Sequence, residues 1–442
     1  MRIQIDDRNE DGRGRGRAGK RVVLVSQAHP GEEVTVRVDR TTRGTVQGRV
    51  AKVIRPDPGR VETRCSHAFH CTGCALLQVS ETEEDAFKRE RVRAALAGVG
   101  GFELEPTLRP TGACGYRHLA KQVFGRLGRD VFLGSYVTGT HHVTDNDGCP
   151  VLAAPLPAVL RQLAAAATAA GADVHDPARG VTGLRYAVAR RSRSTGDVLL
   201  AIVTSAADPS VAAALARRVH DGHDAVVGAH VIVNTGEGNA ILAGDVSPVA
   251  GADAIEDEIL GHRHRIGLRT FFQVNPAAAT ELFRVALDAA GSGRRCLEGY
   301  AGVGALTWPL AERFEQVVAV ESHPEAAQLL QEGALDRGVM VRSEDADHAI
   351  PELLASGPWD AVVLDPPRRG LGDAVTGALA SHPPERIVLL SCEPGTLGRD
   401  LPPLVAAGYG IARIVPVDQF PRTAHVETVT LLTRQRADGA SG

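Results

Sequence analysis

Three short β-like runs follow one another near the start of the chain: Val22-Val23-Leu24-Val25, Glu33-Val34-Thr35-Val36-Arg37-Val38 and Gly48-Arg49-Val50-Ala51-Lys52-Val53-Ile54. Pro30-Gly31 separates the first two, and Pro56–Gly59 closes the set. Short strands at this spacing predict a small β-barrel of the OB type. Ahead of them Asp11–Lys20 is rich in Gly and Arg and reads as a flexible lead-in. Ser80–Ala97 has the pattern of a charged amphipathic helix. Residues 116–270 mix β runs (Leu184–Ala189, Val198–Thr204, Val231–Asn234) with Ala-rich helices (Leu156–Ala170, Val211–Val219). From Thr270 the pattern changes again. A helix over Pro276–Ala290 leads into Cys296–Gly304, a helix follows to Arg313, and a strand covers Val317–Glu321. Strand and helix then alternate to the end, which predicts a doubly wound, Rossmann-like α/β unit. The chain thus divides into an OB-like barrel (1–64), a central α+β part (65–270) and an α/β part (271–442).

Bulk numbers narrow this picture. A chain of 442 residues holds about two to four domains. Its 43% hydrophobic and 23% charged residues are ordinary for a globular protein. Aromatics make up 4%, so a Phe or Tyr beside a motif gains weight. The first residues lack an apolar core behind a basic start, so no secretory signal is expected. The longest apolar stretches, such as Val159–Ala170, contain Arg and Gln and are too short to span a bilayer. These features predict a cytoplasmic protein with no membrane partner, and we expect a monomer. Net charge is −4, but residues 1–60 carry 14 Lys+Arg against 8 Asp+Glu, or +6, which leaves −10 on the rest. A basic leading module on an acidic body suits an anionic partner such as RNA, and strand arginines facing outward would track a phosphate backbone.

Three places carry chemistry. In Gly299-Tyr300-Ala301-Gly302-Val303-Gly304 the glycines follow a strand and let a ligand approach the backbone. Glu321 ends the next strand, where an acid binds ribose hydroxyls, and Asp345 follows the third. This predicts a nucleoside-type cofactor. The pattern lacks the full dinucleotide fingerprint, so S-adenosylmethionine fits better than a hydride carrier.

The second place joins Asp365-Pro366-Pro367-Arg368, Ser391-Cys392-Glu393-Pro394 and Phe420–Glu427, each beside a β-like run. Singly, each has a bland alternative: a rigid turn, a small buried thiol, a surface strand. Together at one sheet edge they equip covalent chemistry on an electron-poor ring. A thiolate adding to carbon 6 of uracil puts electron density on carbon 5, which can then take a methyl group. A base removes the carbon-5 hydrogen, and the thiolate leaves by elimination. Cys392 can supply the thiol and Glu427 the base, with Asp365 or Arg368 orienting the ring.

The third place is Cys65-x5-Cys71-x2-Cys74, with Cys149-Pro150 farther on. Seven cysteines in a chain this long do not predict a disulfide scaffold. Four thiolates can bind zinc or an iron–sulfur cluster, and His67 and His70 keep zinc open. Cys114 and Cys296 have no partner pattern and read as packing residues.

These blocks resemble the RNA uracil-5-methyltransferase family, which makes 5-methyluridine in ribosomal and transfer RNA. The matching segments are Phe271-Phe272-Gln273-Val274-Asn275, the glycine loop Gly299–Gly304, Asp365–Gly370, Ser391–Asp400 and Phe420–Glu427. The resemblance covers nearly the whole chain. It implies a class I methyltransferase domain using S-adenosylmethionine, Cys392 as nucleophile and Glu427 as base. Gln273, Tyr300, Gly302, Gly304, Glu321, Asp345 and Asp365 would then line the cofactor and target pocket, with the base flipped out of its RNA stack. One branch of the family carries a 4Fe-4S cluster on the C-x5-C-x2-C…C pattern, which selects the cluster over zinc on Cys65, Cys71, Cys74 and Cys149. In that branch the leading barrel is a TRAM domain, an RNA-binding module. The 23S ribosomal RNA type is most similar; transfer RNA with a T-loop uridine, and an idle RNA-binding or assembly factor, are the alternatives. Glu393 departs from the usual Asn or Asp. A carboxylate there is expected to raise the Cys392 pKa unless Arg368, Arg369 or Arg399 compensates. Leu297-Glu298-Gly299-Tyr300 likewise replaces a common Asp-Leu-Phe/Tyr.

Overall fold

The computed structural model describes residues 1–435 apart from 64, 237, 239 and 336. A closed barrel comes first, with strands β1 (Arg2–Arg8), β2 (Gly14–Ala18), β3 (Arg21–Ser26), β4 (Glu33–Thr41) and β5 (Thr45–Arg55) in the order β1-β2-β3-β5-β4. Its core is a knot of aliphatics, among them Ile5, Val23, Val25, Val34 and Val50. The expected lead-in is in fact β2. Gly16 pairs with Ile5, and a Cβ on Gly16 would stand 2.2 Å from the Gln4 carbonyl oxygen. Glycine there serves close approach inside a closed barrel, not flexibility.

A loop bearing Cys65, Cys71 and Cys74 leads to helix α1 (Glu81–Ala95), whose first turn is capped by the Ser80 hydroxyl accepting from Glu83 N–H. The central sheet uses β6 (Leu119–Leu127), β7 (Asp130–Tyr136), β8 (Val143–Asp145), then α2 (Leu156–Ala169), β9 (Leu184–Arg191), β10 (Val198–Thr204), α3 (Ser210–Asp221), β11 (Val226–Val233) and β12 (Val246–Gly251). Its order is β12-β11-β10-β9-β6-β7-β8. Every residue of β10 is buried, because both faces of the sheet are covered. Helices α2 and α3 pack on one face. The other face joins a core shared with hairpin β13 (Ala254–Ile259) and β14 (His262–Gly267), helix α4 (Pro276–Ala290) and the last sheet.

That last sheet is built from β15 (Gly293–Gly299), α5 (Thr307–Ala311), β16 (Phe314–Val320), α6 (Pro324–Ala334), β17 (Val339–Arg342), α7 (Ala346–Ala355), β18 (Ala361–Leu364), α8 (Gly372–Ser381), β19 (Arg386–Ser391), α9 (Pro394–Ala406), β20 (Tyr409–Val417) and β21 (Glu427–Arg434). The order is β17-β16-β15-β18-β19-β21-β20. Strands β15 to β19 are parallel, and β21 runs antiparallel to both its neighbours. The helix expected to run to Arg313 is shorter, because Tyr300, Gly302 and Gly304 have positive φ and hold the preceding residues in turns. The sheet reverses its winding between β15 and β18, so ligands belong at the carboxyl ends of these strands. Among the described residues no helix is long and apolar enough to cross a membrane.

Candidate active site

The antiparallel register of β19 and β21 pairs Ser391 with Thr428. One step further along the same register, Cys392 falls opposite Glu427. Strand β18, paired in parallel with β19, ends at Leu364 and delivers Asp365 to the same edge. The loop after Cys392 is pinned: Ser391 Oγ donates to the Glu393 carbonyl at 3.1 Å and Thr396 Oγ1 donates to it at 2.8 Å. Burial pushes the Cys392 thiol up to about 11; the Glu427 and Asp365 carboxylates add to this, and the Arg368 guanidinium opposes it. Burial, then Asp365 and to a lesser extent Glu393, pushes Glu427 up to about 8, with Arg368 again opposing. Asp365 is pushed by burial to about 6. The thiol, both carboxyls and Arg368 thus act on one another at this edge, where the sequence predicts two arginines rather than one.

Glu393 behaves differently from expectation. Its carboxylate takes a hydrogen bond from Arg91 Nη2 at 3.2 Å and caps α9 through Gly395 N–H at 3.4 Å. It is not among the groups that raise Cys392, which are burial, Glu427 and Asp365. Of the three arginines expected to compensate, only Arg368 acts on the thiol. Arg369 pairs with Asp347 at 3.1 Å, and Arg399 pairs with Asp400 at 3.1 Å.

Tyr300, Glu321 and Asp345 line one crevice at the carboxyl ends of β15 to β17, together with Pro367 and Arg369. Glu321 accepts from Gly302 N–H at 2.8 Å and from His323 N–H at 2.6 Å, so it also braces the glycine loop. Asp345 caps α7 by accepting from Asp347 N–H at 2.8 Å. Tyr300 has φ 64°, a left-handed conformation that a bulky residue rarely adopts, and its ring packs against the core that includes Leu297, Ile350 and Leu364. A Cβ on Gly304 would lie 2.6 Å from the Trp308 ring. Buried Tyr300 Oη and Asp347 Oδ1 have no hydrogen-bond partner. Of these, Tyr300 Oη belongs to a residue of the crevice, and an orphaned polar atom there fits a site that a hydroxyl-rich ligand completes. Beneath the loop, burial pushes Glu298 up to about 8, and Thr307 Oγ1 donates to it at 2.5 Å.

Gln273 stands apart from that crevice and accepts from Gln419 Nε2 at 2.6 Å. Asn275 Nδ2 donates to the Gln419 carbonyl at 2.9 Å, so the two segments form one wall. Phe271 beside them is 67% exposed, while Phe272 is buried. Cys65, Cys71, Cys74 and Cys149 line one cavity of about 170 Å³. Cys296 is core, as expected, but Cys114 is exposed and lines the cysteine cavity, so it is not a packing residue. The sequence reading left out Arg91 and gave no role to Gln419, Glu298 or Phe271. Scarcity of aromatics could have singled out Phe271; the others are visible only once distant segments meet.

A doubly wound sheet with a glycine loop, acids after its second and third strands and a thiol between carboxyls at its edge defines a Rossmann-like methyltransferase. Residues 353–435 match the family model described as tRNA (Uracil-5-)-methyltransferase, and residues 1–51 match the TRAM domain. The chain is 33% identical to an uncharacterized RNA methyltransferase of Thermosynechococcus vestitus, over 98% of each chain. It is 29% identical to an uncharacterized RNA methyltransferase of Halalkalibacterium halodurans, over 98% of this chain and 96% of that one. Among solved structures it is similar to the Pyrococcus abyssi tRNA (uracil-54, C5)-methyltransferase in complex with S-adenosyl-L-homocysteine, with a TM-score of 0.77, 25% identity and coverage of 98% and 100%. The chain belongs to the S-adenosylmethionine-dependent RNA uracil-5-methyltransferase family. It is an RNA methyltransferase with a TRAM barrel at its start.

Proposed function

We propose that the protein methylates carbon 5 of one uridine in RNA through a covalent adduct between Cys392 and carbon 6. The observation that carries this reading is that β19 and β21, paired as far as Ser391 and Thr428, lead to Cys392 and Glu427, whose charges act on one another together with those of Asp365 and Arg368. Cys392 adds to carbon 6 as the thiolate, and Arg368 steadies the negative charge that develops on the uracil oxygen. Bound S-adenosylmethionine supplies an electrophilic methyl group on a positively charged sulfur. Glu427, as the carboxylate, then takes the carbon-5 proton, and Cys392 departs as carbon 5 and carbon 6 regain their double bond. Tyr300, Gly302, Gly304, Glu321 and Asp345 hold the cofactor, with Asp365 and Gln273 where it meets the uracil. Glu393 gave an idle factor its only support, and that carboxylate is engaged by Arg91.

The cysteine cavity fits a 4Fe-4S cluster better than zinc. Four sulfurs about one zinc at ~2.3 Å lie roughly 3.8 Å apart. Among the described residues no three of these thiols come within 4.8 Å of one another. A wider inorganic core suits such a spread. Iron and acid-labile sulfide analysis of anaerobically purified protein tests this; stoichiometric zinc without sulfide would overturn it.

For the substrate we take ribosomal RNA of the 23S type, read by the barrel (1–64), with the central part (65–270) and the α/β part (271–442) enclosing the flipped uridine, in a monomer working in the cytoplasm. Transfer RNA is the second reading, favoured by the full-length similarity to the Pyrococcus abyssi enzyme. Mapping the 5-methyluridine lost from a deletion strain decides between them. Replacing Cys392 with Ala should abolish transfer and the adduct with 5-fluorouridine RNA. Retained activity in Cys392→Ala would sink the covalent mechanism.

A further inference from the structure

Helix α1 carries Glu84, Lys88 and Arg91 at spacings of four and three, which places them on one face. All three reach the same segment, the approach to β21. Glu84 Oε1 accepts from Arg422 N–H at 2.6 Å. Lys88 Nζ donates to Asp418 Oδ1 at 2.6 Å and to the Phe420 carbonyl at 3.3 Å. Arg91 Nη1 donates to the Ala424 carbonyl at 2.5 Å. The face is therefore a rail under residues 418–424, and Glu427 follows directly.

Arg91 does one thing more. Its second arm, Nη2, donates to Glu393 Oε1 at 3.2 Å, on the residue next to Cys392. One guanidinium thus holds the segment after the thiol and the segment before the carboxyl. Its side chain is only 14% exposed. The helices behind it are locked together: a Cβ on Gly398 of α9 would stand 2.1 Å from the Ala95 carbonyl oxygen of α1. Arg91 therefore reaches both partners from a fixed base.

We propose that Arg91 is a positioning residue for methyl transfer, setting the separation of Cys392 and Glu427 by holding Glu393 and the Ala424 carbonyl at once. This deepens the reading of Cys392 as nucleophile and Glu427 as base, and rests on it. The two groups must address adjacent carbons of one ring in succession, so their spacing governs both steps, and a misplacement near 1 Å costs about 100-fold. A planar guanidinium can serve two acceptors in fixed directions; an ammonium on a flexible stem cannot keep both. Arg91 also draws the Glu393 charge away from the thiol, so that Glu393 acts as a strut.

The test uses full-length protein, undermodified RNA transcript and S-adenosylmethionine. Arg91→Gln and Arg91→Lys should each lower kcat by about 10- to 100-fold, while KM for either substrate and the melting temperature stay close to wild type. Glu393→Gln keeps an acceptor oxygen and should lose less than Glu393→Ala. Arg91→Gln combined with Glu393→Ala should be no worse than the stronger single variant, because the two act as one link. Wild-type kcat in Arg91→Gln would overturn the proposal. So would full rescue by Lys, which would leave only charge, or a loss carried by KM or by melting. If Arg91→Gln fails to fold, the Glu393→Ala and Glu393→Gln pair reads the same link from its other end, and equal kcat in the two overturns it. Adduct formation with 5-fluorouridine RNA separates this from the chemistry beneath it. Wild-type protein that forms no adduct overturns both readings; an adduct whose rate and resolution ignore Arg91 overturns the positioning role alone.

Discussion

Lys88→Met should be among the most damaging single substitutions outside the reacting groups. The Lys88 side chain is 0% exposed and sits between two carboxylates that are each 2% exposed, Glu84 at 2.7 Å and Asp418 at 2.6 Å. Arg422 Nη1 lies 3.5 Å from Glu84, so two cations face two anions in a neutral buried set. Removing Lys88 takes from Asp418 its ion-pair partner and leaves only the weaker pull of Arg109, and breaking a buried pair from one side costs about 3–5 kcal/mol. The Phe420 carbonyl loses its donor as well.

The sign of the pH dependence follows from Asp418. Burial already raises its pKa, while Lys88 opposes the rise. Without Lys88 the folded-state pKa climbs further above the unfolded one. The variant then binds a proton on folding, keeps most of its stability at low pH, and loses it as pH rises through the new folded value. The penalty should be smallest at the acid end and grow as pH rises. The chain has 2 Trp, Trp308 and Trp359, both buried in the α/β part that carries Asp418. Their fluorescence in urea titrations at pH 5 and pH 8 reports the relevant unfolding. A cost below about 1 kcal/mol at pH 8, or the same cost at both pH values, would refute the reasoning. Asp418→Asn added to Lys88→Met removes one charge of each sign, leaves the Glu84–Arg422 pair intact and should recover part of the loss.

Three further outcomes are expected. With Cys392 pushed to about 11 in the free protein, its alkylation by iodoacetamide, read on its own peptide by mass spectrometry, should rise about tenfold per pH unit from pH 7 to 10; a plateau by pH 8 would contradict the raised thiol. Glu298 and Glu427, both pushed up to about 8, should shed protons when a positive charge arrives beside them. Calorimetry at pH 7 in buffers of different ionisation enthalpy should therefore show more proton release with S-adenosylmethionine than with neutral S-adenosylhomocysteine, and equal counts would argue against it. Arg368 lowers both Cys392 and Glu427, so Arg368→Gln should move the acidic limb of the kcat profile to higher pH, and an unmoved limb would detach Arg368 from the reacting groups.

What the sequence could reveal follows from how each feature is encoded. Motif blocks at strand ends were legible, because alternating strand and helix dictates that strand ends gather at one sheet edge. Cys392, Glu427 and Asp365 could be brought together from pattern alone. The rail on α1 could not. Glu84, Lys88 and Arg91 read as part of a charged helix, and charge on a helix reads as a solvated face. They are buried because Asp418 and Arg422, more than 300 positions away, supply counter-charges that no local window contains. Gly14 and Gly16 misled in the opposite sense: glycines beside arginines look flexible, yet Gly16 is glycine because the barrel backbone passes too close for a Cβ. For Glu393 the sequence supplied the right residue and the wrong direction, since a carboxylate next to a thiol acts on it only if it points there.

The two carboxyls at the reacting edge are pushed unequally, and that inequality assigns their work. Asp365, near 6, is largely ionised at pH 7, whereas Glu427, near 8, is largely protonated. Two like groups held apart in this way cannot both be the proton acceptor at neutral pH. In the proposed mechanism Asp365 is the standing negative charge beside the methyl donor, and that charge adds to burial in raising both Glu427 and Cys392. Glu427 becomes a base only after its proton has left, and the cation that favours this also favours the Cys392 thiolate. In the proposed mechanism, nucleophile and base are therefore switched on by the same event. On that reading the raised Cys392 thiol of the free protein reacts slowly with stray electrophiles between turnovers.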